Sequence, residues 1–142
     1  MINIKRNLSV LIALLLFAAP AIANAQVSVI ANKSVSSHTA DISALRNLYL
    51  LQSSELGSQK VKLFFLTAET ETNKTFLKNM DKSFQELKKI WLRAKLTGNG
   101  AVPEFVSSEK EMLEKVASTP NAIGFIDSKS APENVKVIAT LR

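Results

Sequence analysis

Between Lys60 and Phe76 the chain reads KVKLFFLTAETETNKTF, an apolar run that stops abruptly at threonines and acids and then turns helical. Val61 and Leu63–Leu66 suit a buried strand, and the periodicity that follows buries Phe76, Leu77 and Met80 on one side of a helix. A strand feeding a polar loop that opens a helix aims unpaired backbone N–H groups at one point, which suits an anion as well as it suits an ordinary cap.

The rest of the chain repeats the alternation. Gln26–Ala31 (QVSVIA) reads as a first strand, and Asp41–Gln52 carries Ile42, Leu45, Leu48, Tyr49 and Leu51 at mostly helical spacing. After the strand Lys60–Leu66 come two helices, Thr72–Met80 and Ser83–Leu96, the second stopped by Gly98-Asn99-Gly100 with Pro103 beyond. Ser107 or Ser108 starts a helix through Ser118, and Ser108-Glu109-Lys110-Glu111 matches a capping box. Ala122–Ile126 and Val135–Thr140 complete the set as strands. Strands alternating with helices specify an α/β domain with a mixed sheet flanked by helices.

The first 25 residues read as a leader. Lys5 and Arg6 form a positive n-region, Leu8–Ala19 an apolar stretch, and Ala23-Asn24-Ala25 a cleavage site. The apolar stretch is shorter than the roughly 20 residues of a spanning helix. Of 142 residues this leaves 117 from Gln26 onward, one domain at 26–142, and no later segment is apolar enough to span. Without Lys5 and Arg6, 16 of the 18 basic side chains face 12 acidic ones, a net charge of about +4. Export argues against nucleic acid as a partner, and a mild positive field suits small anions, acidic protein surfaces or the outer face of a membrane.

Cysteine is absent, which excludes disulfides, thiol catalysis, cysteine-bound metals and a lipidated cysteine anchor. A secreted animal domain of this size would usually carry disulfides, so the expected location is a bacterial periplasm. With one histidine, His38, no transition-metal site is expected. Ser36 or Ser37, His38 and Asp41 lie too close in sequence for a catalytic triad and lack a nucleophile elbow. Glu69 and Glu71 sit where acids complement a helix dipole. Trp91 and Tyr49 lie on apolar helical faces and belong to the core. No enzyme and no cofactor is expected.

Two hydroxyl-rich helix starts remain as candidate anion donors: Ser36, Ser37 and Thr39 in one, Thr70, Thr72 and Asn73 (with Thr67) in the other. Each follows an apolar strand, so both are expected at the same edge of the sheet, where ligands of open α/β sheets bind. Hydroxyls and backbone N–H groups can donate to a tetrahedral oxyanion without carrying charge. Lys78, Lys82, Lys89 and Arg93 read first as a solvated face, and alternatively as a basic stripe for a partner or for lipid headgroups.

Three pieces of the chain together resemble the phosphate-binding proteins of ABC transporters, which have the type II periplasmic-binding-protein fold. Asp41–Gln52 (DISALRNLYLLQ) is similar to a helix beginning S-x-x-D-L-x-x-I-F, Thr70–Phe76 to the ligand loop S-G-T-x-x-x-F, and Ser118–Asp127 (STPNAIGFID) to x-T-P-G-A-I-G-Y-x. The resemblance implies one lobe of a fold whose two lobes close on phosphate. It places Thr70 at the family's serine and Thr72 at its threonine. Glu71 replaces the glycine between them, and Leu66 replaces the arginine that grips phosphate.

Two functions follow from these readings. The first is a periplasmic solute-binding-like component for phosphate or another small oxyanion, with Ser36, Ser37, Thr39, Thr70, Thr72 and Asn73 as donors. The alternative is a ligand-free interaction or signalling module of the same fold, acting on a periplasmic or inner-membrane protein partner.

Overall fold

The computed structural model describes residues 25–142, so the leader read at the N-terminus lies outside the described residues apart from Ala25. Seven strands and four α-helices follow in the order β1 (Val27–Ala31), α1 (Ile42–Tyr49), β2 (Glu55–Leu56), β3 (Gln59–Lys60), β4 (Lys62–Leu66), α2 (Glu71–Met80), α3 (Phe84–Thr97), β5 (Glu104–Val106), α4 (Glu109–Ser118), β6 (Ala122–Asp127) and β7 (Lys136–Leu141). Five strands make one mixed sheet in the order β5-β4-β6-β1-β7, and β2 pairs with β3 in a separate hairpin. β4 runs parallel to β5 and β6, whereas β1 runs antiparallel to β6 and β7. This is the expected α/β class.

Side chains alternate across the sheet and give each face its own filling. On one face Phe125 stacks on Phe76, with ring centroids 3.7 Å apart, and Phe65 meets Phe84 and Trp91 at 5.1 Å each. Helices α1, α2 and α3 close over these rings. Tyr49 and Trp91 are buried, as expected, and each satisfies its polar atom: the Tyr49 hydroxyl donates to the Phe64 carbonyl at 2.8 Å and the Trp91 indole to the Tyr49 carbonyl at 2.8 Å. On the other face α4 lies against Gly124, where a Cβ would run into Met112 and Val116. Gly124 therefore sets how closely α4 approaches β6.

Each helix starts at a residue that caps it. Asp41 accepts from the N–H of Ala44, Thr70 from Asn73, and Ser108 from Glu111. Ser83 and Glu86 form a reciprocal capping box. At the start of α4 the box expected from Ser108 and Glu111 is only half made. The Glu111 carboxylate accepts instead from the backbone N–H and hydroxyl of Ser107, and the Ser107 N–H holds it below the usual carboxylate range. Ser36, Ser37 and Thr39 do not cap α1; Asp41 does.

Two pieces of the fold differ from the expectation. α1 stops at Tyr49 rather than Gln52, because Leu51 takes a left-handed conformation (φ 58°) that a helix cannot continue through. The hairpin β2–β3 and the edge strand β5 were not anticipated. They span two, two and three residues, too short to show a period-2 pattern.

Candidate functional site

The loop from β4 into α2 is held at both ends. Thr67 donates its N–H and hydroxyl to the Val106 carbonyl at 2.9 and 3.1 Å, tying the loop to β5. The buried Asn73 side chain donates to the Leu66 carbonyl, which turns the chain sharply from strand to helix. Thr70 accepts from the Asn73 N–H at 3.4 Å as the N-cap. Glu71 projects outward and pairs with Lys74 at 3.2 Å, both side chains being mostly exposed. Such a pair on an open helix face contributes little.

Thr72 is 7% exposed, and its hydroxyl donates to Glu109 Oε1 at 2.9 Å. The same carboxylate oxygen accepts the backbone N–H of Asp127 at 2.7 Å. Glu109 is the first residue of α4, and Asp127 the last of β6, so one carboxylate joins the start of α2, the start of α4 and the end of β6. It is an acceptor on which donors of two other elements, α2 and β6, converge. Nothing in the sequence pointed to Glu109 for this role. Its position in a helix's first turn explains an acid there, and only the sheet order brings α4 beside α2.

The surrounding charge is mixed. Glu69, Glu71, Glu109, Glu111 and Asp127 lie along this edge with Lys74, Lys110, Lys129 and Arg142. Leu66, which the resemblance sets against an arginine, is fully buried in the core. At that position the loop therefore offers an apolar side chain and no guanidinium.

Ser36, Ser37 and Thr39 are at the opposite edge, which corrects the expectation of a shared one. β1 runs antiparallel to β6, so the segment leaving its C-terminal end arrives beside the first residues of β4 and β6, not their last. Asn32 N–H bonds the Ala122 carbonyl, and Lys62 N–H the Asn121 carbonyl, at that end. Four strand steps along β4 separate the two hydroxyl sets, about 13 Å of rise.

At that far edge Ser36 has a structural partner. Its N–H and hydroxyl reach Gln59 Oε1 at 2.8 and 3.0 Å, while Gln59 Nε2 donates to Asn121 Oδ1 at 2.7 Å. The network pins the β2–β3 hairpin to the start of β6. Thr39 and His38 are exposed beside it. Of the six expected donors, the structure brings together Thr70, Thr72 and Asn73 and leaves the other three apart.

Among the described residues no group of acids and histidine is arranged to hold a metal ion, and no helix is long and apolar enough to cross a membrane.

No protein-family model matches the sequence, and no curated protein matches it. Solved structures do match the fold. An ABC-type phosphate transport receptor from Vibrio cholerae superposes with a TM-score of 0.62 at 18% identity, over 80% of this chain and 46% of the receptor. A protein from Clostridium perfringens, assigned as a phosphate ABC transporter substrate-binding protein and solved with bound phosphate, gives 0.61 at 11% identity, over 80% and 45%. PstS from Borrelia burgdorferi gives 0.55 at 16% identity, over 81% and 47%. The chain thus spans about half the length of the receptors it matches, and it has the fold of a single lobe of the phosphate-binding receptors of ABC transporters.

Proposed function

We propose that this protein is an exported, periplasmic solute-binding-like component that works by surface contact with a partner rather than by holding phosphate. The observation that carries this reading is the Glu109 carboxylate. It accepts the Thr72 hydroxyl and the Asp127 N–H, so the chain's own anion takes the hydrogen bonds an oxyanion would need. A phosphate brought within about 4 Å of that carboxylate meets a repulsion of about 4 kcal/mol at an effective dielectric near 20. The guanidinium that would offset it is replaced by buried Leu66. That the solved structures with this fold are transport receptors supports a role other than catalysis.

Isothermal titration with phosphate and sulfate tests it. The folded protein is expected to release no binding heat up to millimolar anion. A saturable heat would overturn the surface-contact reading.

A second reading is favoured by the structural neighbour solved with bound phosphate. In it, a small oxyanion sits at the start of α2 on Thr70, Thr72 and Asn73, and Glu109 turns away to admit it. Ser36, Ser37 and Thr39 would then serve a separate contact at the far edge. A heat abolished by Thr72→Val would establish this reading.

A further inference from the structure

Four large apolar side chains are exposed among the described residues, and three of them, Leu92, Leu96 and Phe105, lie on α3 or beside it on β5. Leu92 is 58% exposed and Leu96 78%. Spaced i and i+4, they form one outward ridge of the helix. Cations flank this ridge on both sides. Lys88 and Lys95 lie toward the shallow apolar groove that α3 makes with Val102, Pro103 and Phe105, and Lys89 and Arg93 lie on the opposite flank. From Leu87 to Thr97 the helix carries these four cations and no acid. The only acid of α3, Glu86, is in its first turn and is engaged by the N–H of Ser83.

We propose that this face of α3 rests on an anionic lipid surface. It rests on the surface-contact reading above and names the partner. Two leucines that protrude from a convex helix need a surface that yields to them, as the headgroup and acyl boundary does. Long lysine and arginine stems can keep their charges among the headgroups while Leu92 and Leu96 sink below them. The absence of any acid between the cations favours a uniformly negative surface over a protein of mixed charge. Trp91 takes no part: it is 2% exposed and its indole N–H is turned inward to Tyr49.

The test is co-sedimentation of the purified protein with phosphatidylcholine vesicles, with and without about a third phosphatidylglycerol. Binding is expected only to the anionic vesicles, and it should vanish near 1 M salt, where the screening length falls to about 3 Å. Each interfacial cation is worth about fivefold in partitioning, so Lys89→Gln with Arg93→Gln should weaken binding about 25-fold. Leu92→Ser with Leu96→Ser should weaken it at least about tenfold. A Leu92→Trp reporter should shift to shorter emission wavelength on vesicles, over the constant signal of buried Trp91. All four positions are exposed, so circular dichroism of the variants should match the parent. No binding to anionic vesicles by the folded protein overturns the proposal, including the case in which it binds polyglutamate instead. Undiminished binding by either double variant overturns it too. Neither result bears on the phosphate titration, which separately tests whether the protein holds an oxyanion.

Discussion

The Thr72 hydroxyl donates to the Glu109 carboxylate at 2.9 Å although the two residues are 37 positions apart. The pair joins the first turns of α2 and α4 across the end of the sheet, and the N–H of Asp127 completes it. In a fold built to bring helix starts and strand ends to one point, this chain fills that point with its own acid.

Replacing Glu109 by alanine leaves a nearly buried hydroxyl and a backbone N–H without their acceptor. Glu109→Ala should lower the unfolding free energy by about 1–3 kcal/mol. Urea denaturation followed by circular dichroism measures this. Glu109→Gln keeps an oxygen acceptor and should lose less; an equal loss in both variants would speak against the hydrogen bonds as the cause.

Gly124 sits on β6 facing Met112 and Val116, with the Val116 Cγ2 atom 3.0 Å from where a Cβ would stand. Gly124→Ala should overpack this contact and cost about 1–3 kcal/mol. Combining it with Met112→Ala makes room, so the two effects should not add. A thermal melt of the single and double variants checks this.

Tyr49 is fully buried, and burial pushes its phenol well above the ordinary tyrosine range. The unfolded chain ionises this group near pH 10 while the folded chain keeps it neutral, so fewer protons are bound in the unfolded state above that pH. Stability should therefore fall as pH rises beyond about 10. Tyr49→Phe removes that alkaline contribution and, at neutral pH, costs about 1 kcal/mol for the lost bond to Phe64. Spectrophotometric titration should show no phenolate from Tyr49 until the protein unfolds.

Glu104 bridges Lys62 and Lys115 at 3.0 and 3.4 Å, and the hydrogen bond from Lys62 is the larger cause that holds its carboxyl below the usual range. Glu86 is lowered in the same direction by the N–H of Ser83. Carboxylates with depressed folded values stabilise the fold above their unfolded value, near pH 4.3, and that contribution is lost as pH falls through the folded value. The acid limb of the stability profile should begin below about pH 4. It should flatten in Glu104→Gln, as measured by urea midpoints across the acid range.

Much of the fold was legible in sequence because its elements are long and sharply bounded. The apolar run Leu63–Leu66 and the stop at Gly98 appear where the pattern puts them, whereas the reciprocal capping box forms at Ser83 and Glu86 rather than at Ser108 and Glu111. β5 was not legible, since three residues carry no period, and neither was the break of α1, which depends on the left-handed turn at Leu51. Of the candidate site, Thr70, Thr72 and Asn73 were visible as hydroxyls and an amide at a helix start. Their separation from Ser36 was not visible, because the direction of β1 in the sheet is set by pairing with distant strands.

By itself the sequence determined the α/β class, the starts of α2, α3 and α4, and the apolar Leu66 at the end of β4, all properties of neighbouring residues or of single positions. Only the tertiary structure decided that Glu109 meets Thr72, that the two hydroxyl sets face opposite ways, and that Leu92 and Leu96 stay uncovered. Those outcomes depend on strand order and direction, which come from long-range burial and hydrogen bonding that local periodicity does not encode.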